Sequence, residues 1–190
     1  MNIELSKLID KARRTAEIAK SDFGDLTQIQ LEWKPNAESW SVGQCFEHLI
    51  ISNDFGFSAV KPILDKTQKR TLMMSVPFVS EFFGNLIFKA VQPEVTRKIK
   101  APKAVRLKDE KVRPFVIKEF VESQNALVEM MENSRSFDLK KEKISSQLTD
   151  WITYNLFDTY KIVVSHGERH LNQARRVLQN ADFPKSSLTI

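Results

Sequence analysis

Four long stretches of this 190-residue chain place apolar residues three and four apart, and only five glycines interrupt the sequence. A stripe at that spacing is one face of a helix and must be buried against another element. The first stretch, residues 2–32, carries Leu5, Leu8, Ile9, Ala12, Ala16 and Ala19, with Gly24 placed to bend or interrupt it. Pro35 ends it, because the residue before a proline is pushed out of the helical region. The second, residues 41–64, begins at Ser41 with Gln44 three residues on, the pattern of a capping box. Its stripe is Cys45, His48, Leu49, Ser52, Phe55 and Ala59, and Pro62 falls near its end. The third starts near Arg113, tolerates Pro114 in its first turn, and runs through Phe115, Ile117, Phe120, Leu127 and Met131 to about Asn133. The fourth spans about 153–180, with Leu156, Tyr160, Val164, Leu171, Ala174 and Val177 on one side.

Four amphipathic helices in a turn-poor chain predict an all-α fold, a four-helix bundle in a single domain over residues 1–190. The connection between the second and third helices, residues 65–111, is long enough for a crossover. It carries a short extra amphipathic helix over 76–91, whose stripe of Val79, Phe82, Phe83, Leu86, Ile87 and Ala90 is expected to be core or, alternatively, to pair with another subunit or line a pocket. Residues 134–152 read as a polar connection, and 182–190 as a loose tail.

Charge is distributed unevenly. Residues 97–113 hold eight Lys/Arg against Asp109 and Glu110, a net of +6 in a chain of +5, so the remainder is at −1. This segment reads as a solvated surface strand or as an anion-attracting rim over a site. Nucleic acid is a poor match, because no stacking aromatics are interleaved with the basic residues. No apolar run approaches the roughly 20 residues of a membrane span. The acidic residue early in the N-terminus and the lack of an apolar signal core argue against secretion. With one cysteine, Cys45, no intrachain disulfide can form, and a reducing cytoplasm is the expected home.

Against this background the three histidines stand out. His166 and His170 lie four residues apart on the last helix, hence on one face, and such a pair can share a metal ion. His48 lies on the apolar side of the second helix. If the two helices pack, the three imidazoles converge and leave an open coordination position, as catalytic metal sites do. Three neutral nitrogens suit zinc foremost, with nickel, iron(II) or manganese also compatible by ligand type. Cys45, three residues before His48, is either a fourth ligand, a reactive thiol or small core filler. Glu47 and Glu168 neighbour the histidines in sequence but point about 100° away, which makes them surface carboxylates rather than bases. Gln44, Ser52 and Gln173 stand one turn from a histidine, positioned either to orient a ligand or to cap and pack.

The motif W-S-V-G-Q-C-F-E-H-L at 40–49, followed by S-H-G-E-R-H-L-N-Q-A at 165–174, resembles the DinB-like superfamily of bacterial four-helix proteins. That resemblance covers nearly the whole chain. It implies a homodimer with a divalent metal on His48, His166 and His170. It further implies an enzyme acting on a small-molecule electrophile with a low-molecular-weight thiol such as bacillithiol, glutathione or a mycothiol-type cofactor, that is, an S-transferase. A metal-dependent hydrolase, or a non-catalytic metal-stabilised bundle that binds a ligand or partner, are the alternatives.

Overall fold

The computed structural model describes residues 3–76, 78–94, 102–107, 111–146 and 149–185. Residues 95–101 and 108–110, which include four of the eight Lys/Arg of the basic segment, and the end of the tail from 186 lie outside the described residues. The chain is mostly helical, with one small sheet. Helix α1 is Ile3–Phe23, α2 is Gln28–Glu32, α3 is Val42–Leu64, α4 is Leu72–Ser75, α5 is Val79–Val91, α6 is Val116–Asn133 and α7 is Leu156–Leu178. A 3₁₀ turn occupies Lys103–Val105, and strands β1 (Lys143–Ser146) and β2 (Thr149–Asn155) form an antiparallel hairpin.

The first predicted helix is two. It breaks at Gly24, and α2 restarts behind a capping box in which Thr27 and Gln30 satisfy each other's backbone amides. The capping box predicted for α3 is present: Gln44 N–H donates to Ser41 Oγ at 3.1 Å and Ser41 N–H donates to Gln44 Oε1 at 3.2 Å. A cap of this kind is worth about 1 kcal/mol, so Gln44 is accounted for by the start of α3. Pro114 lies ahead of α6, whose N-cap is Phe115.

The four long helices pack in a ring: α1 against α6 and α7, and α3 against the same two. His48 meets α7 at residues 166 and 170, while Gly56 sits against Val163, so α3 and α7 run in opposite directions. Two apolar clusters fill the ring. One gathers Phe23, Phe46, Leu49, Phe120 and Leu171, and the other Leu5, Ile9, Leu127, Met131, Leu156 and Tyr160. Residues 41–50 are buried without a break, because α2, α6, α7 and the 3₁₀ turn all lean on this end of α3.

Two expectations need correction. The first is the wholly helical fold class and the polar connection at 134–152: this segment contains the hairpin, which pairs Ile144 with Tyr154 and Ser145 with Thr153, with a bulge after Ser145. Ile144 and Tyr154 are buried on one face of it. The strand runs to Asn155, so α7 starts at Leu156, where the Asn155 side chain accepts from the Asp158 N–H at 2.7 Å. The second concerns the stripe of α5. Phe82 and Leu86 face outward, while Ser80 and Gly84 are buried. Ser80 Oγ lies 2.9 Å from Thr153 Oγ1, and a Cβ on Gly84 would fall 2.5 Å from the Asp158 carboxylate. Close approach through small residues, rather than bulk, sets the rotation of this helix.

Candidate metal centre

The site is built by two helices and capped by two connections. On α7 the four-residue spacing brings His166 and His170 together, with ring centroids 4.6 Å apart and planes at 89°. Helix α3 supplies His48, at 5.0 Å from His166 and 4.8 Å from His170. One ligand atom from each ring lies within 4.8 Å of the others. The convergence expected from the sequence is present. No other residue type joins the group among the described residues.

Orientation comes from outside the helices. The Nδ1 of His48 is 2.8 Å from the Val105 carbonyl, so the ring donates its Nδ1 proton there and presents Nε2 with a lone pair. A backbone carbonyl on the far nitrogen is the usual way a metal-ligating histidine is fixed. Val105 ends the 3₁₀ turn, so the long connection does cover the site at this point. Trp40 closes another side, stacked on His170 at 5.4 Å and 19°, and edge-on to His48 at 4.9 Å. It occupies the position before the Ser41 N-cap, where an apolar residue commonly folds back on its helix. That was a readable signal for a residue that the histidine pattern alone does not point to.

His48 Nε2 lies 3.3 Å from His166 Nε2. Two lone pairs at that separation repel unless a proton or a cation lies between them. Nitrogens bound at 2.0–2.1 Å to one tetrahedral ion are about 3.3 Å apart. His170 Nδ1 is buried with no hydrogen-bond partner, an orphaned polar atom of the kind that marks a missing occupant. The donor set therefore fits a divalent cation.

Electrostatics agree. Burial holds the His48 imidazole below its ordinary value, against the Val105 hydrogen bond. His166 is lowered to about 3, by burial first and then by His48 and Arg169. His170 is lowered well below the ordinary value by burial and by His166, His48 and Arg169. All three rings are neutral near pH 7, the protonation state in which histidine is a ligand.

The remaining candidates separate. Cys45 is fully buried in the apolar cluster around Phe46, and burial pushes its thiol up to about 12, which makes it core filler. Ser52 Oγ is buried and without a partner one turn beyond His48. Glu168 pairs with Lys11 at 3.1 Å across α1 and α7, a surface contact as expected. Glu47 corrects the expectation: it is 8% exposed, and both its oxygens accept from Arg113 Nε, at 2.9 and 2.8 Å. Arg113 also donates its backbone N–H to Glu47 and reaches Glu119 at 2.8 Å. This bidentate pair latches the start of α6 to α3 beside His48, and in sequence it looked like a loop arginine and a helix-surface acid. Arg169 donates to the Ala90 carbonyl, joining α7 to the end of α5.

A family model described as the DinB superfamily matches residues 9–174, a span that includes all three histidines. No curated protein and no solved structure matches the chain.

Proposed function

The chain belongs to the DinB superfamily, and we propose that it is a metal-dependent enzyme, an S-transferase that joins a low-molecular-weight thiol to a small electrophile. His48, His166 and His170 are the ligands in this reading, zinc is the foremost metal, and α1, α3, α6 and α7 are the four-helix bundle with α5 as the extra helix. The protein is read as one domain that works as a homodimer in the cytoplasm.

The observation that carries the reading is a cluster of three neutral imidazoles, two buried and one half-buried, with no carboxylate among them. A divalent ion held there supplies Lewis acidity and lowers the pKa of a fourth ligand at its open position. A thiol starts near pKa 8.5 and needs little more than that. Water starts far higher and gains from a positioned carboxylate base. Glu47, the nearest acid in sequence, is committed to Arg113, and Glu168 points to Lys11. That favours a thiol over hydrolysis. The Val105 carbonyl holds the His48 tautomer, and Trp40 shields two of the rings from water.

The test is conjugate formation between bacillithiol or glutathione and a model epoxide, with metal-loaded protein. The rate should exceed the uncatalysed one, and His170→Ala should abolish the excess. Hydrolysis of esters or amides without thiol, with thiols acting only as inhibitors, would overturn the transferase assignment.

A further inference from the structure

The outer face of α4 and α5 is apolar and uncovered. Phe78, Phe82 and Leu86 follow one another at four-residue intervals, so they form a single stripe, and they are 80%, 62% and 54% exposed. Leu72 on α4 is 90% exposed, and Trp151 is 71% exposed on β2, the strand against which α5 packs. Trp151 lies two residues from Thr153, whose hydroxyl meets Ser80 of α5. Large side chains clustered in the open mark an interaction surface. None of them is needed to hold α5, which is fastened through Ser80 and Gly84 on its other side.

The surrounding charge says what kind of surface this meets. Lys66, Lys69 and Arg70 are exposed immediately before α4, and Lys89 is exposed three residues beyond Leu86 on the same stripe. Between residues 66 and 94 there are four Lys/Arg, all exposed, against Glu81 and Glu94. The exposed aromatic stripe is thus flanked by basic residues at both of its ends. A second copy of this chain is disfavoured as the occupant, because a two-fold contact would place like charges around the patch face to face. A partner both apolar and anionic satisfies both features. Phe, Leu and Trp set among Lys and Arg is the composition of helices that lie in the headgroup region of acidic membranes.

We infer that the face formed by α4, α5 and Trp151 docks the protein on the surface of an anionic lipid bilayer. The apolar stripe enters the acyl boundary, and Lys66, Lys69, Arg70 and Lys89 meet the headgroups. Contact is peripheral, since no described helix is long and apolar enough to cross a membrane. The docking face lies on α5, whose last turn is joined to α7 through Arg169, so a substrate dissolved in the lipid would be delivered close to the site.

The experiment is co-sedimentation of the full chain with vesicles of phosphatidylcholine alone and with phosphatidylserine added. Wild-type protein should pellet with the anionic vesicles and stay in solution with the neutral ones. Phe82→Ser with Leu86→Ser should weaken the partition roughly tenfold or more. Lys69→Gln and Arg70→Gln should weaken it about fivefold each, with less loss at high salt. Circular dichroism and thermal melting of each variant keep misfolding from passing as lost binding, and these outward-facing substitutions should leave both unchanged. Equal pelleting with neutral vesicles, no pelleting at all, or undiminished pelleting of the Phe82→Ser/Leu86→Ser variant would overturn the inference. So would light scattering that shows a wild-type dimer split to monomers by that variant, since the face would then belong to a second copy.

Discussion

Lowering the pH from 7 to 5 should destabilise the metal-free protein, and the three histidines make that window diagnostic. They are the chain's only histidines, and all three stand in one cluster. Each imidazole is held below its ordinary value in the fold. Between the folded and unfolded values the unfolded chain binds more protons, so stability falls as pH falls through about 6.5 and levels off once the folded rings protonate. For His166, at about 3 in the fold and about 6.5 unfolded, the loss between pH 7 and pH 5 is roughly 2 kcal/mol. His48 and His170 act in the same direction, which sets a limiting slope of about 4 kcal/mol per pH unit if all three contribute fully. The carboxylates held low by their partners, Asp22 with Arg175 and Asp138 with Lys141, lose their stabilising effect only at or below the ordinary carboxylate range. Urea unfolding of chelator-treated protein at half-unit pH steps measures the slope. The variant with all three histidines changed to Gln should show a flat profile over the same range. Equal unfolding free energies for wild-type protein at pH 7 and pH 5 would refute the argument.

Four further outcomes are expected. Purified protein should hold about one divalent ion per chain by elemental analysis, and His48→Ala, His166→Ala and His170→Ala should each lose it. Zinc at a hundredfold excess over its dissociation constant should raise the unfolding free energy at pH 7 by about 2.7 kcal/mol, and by less at pH 5, where protons compete for the same nitrogens. Glu47→Gln should lower stability by about 1–2 kcal/mol, below the cost of breaking a fully buried pair because Arg113 is half exposed, with the loss read from thermal melts. Cys45 should resist a thiol reagent in the native protein and react on denaturation, and Cys45→Ala should leave metal content unchanged.

How far the sequence could be read depends on which force fixed each element. The long helices were legible because apolar period and caps agree: Ser41 with Gln44 marks the start of α3, and the stripe from Leu156 to Val177 marks α7. The hairpin was not, because a count of polar residues hides Ile144, Trp151, Thr153 and Tyr154, residue types that favour strands. The rotation of α5 was misread for a related reason. Burial of the largest side chains is the natural expectation, yet Gly84 must face Asp158, where nothing larger fits, and that turns Phe82 and Leu86 outward.

For the site, the part carried by spacing was legible and the part carried by tertiary contacts was not. His166 and His170 share a face by helical repeat alone, and His48 joins them once α3 packs on α7. What holds the rings comes from distant residues: Val105 lies 57 residues from His48, and Arg113 lies 66 from Glu47. These contacts also answer why three rings stay together without a charge of their own. Bringing lone pairs to 3.3 Å is unfavourable, so a cluster ordered only by its cation would open when the cation leaves. Here the Val105 carbonyl fixes the tautomer of His48, the Glu47–Arg113 latch fastens the far end of the same connection, and Trp40 lies flat on His170. The cost of gathering the ligands is therefore met by the fold, and a cation entering the site finds its donors already placed.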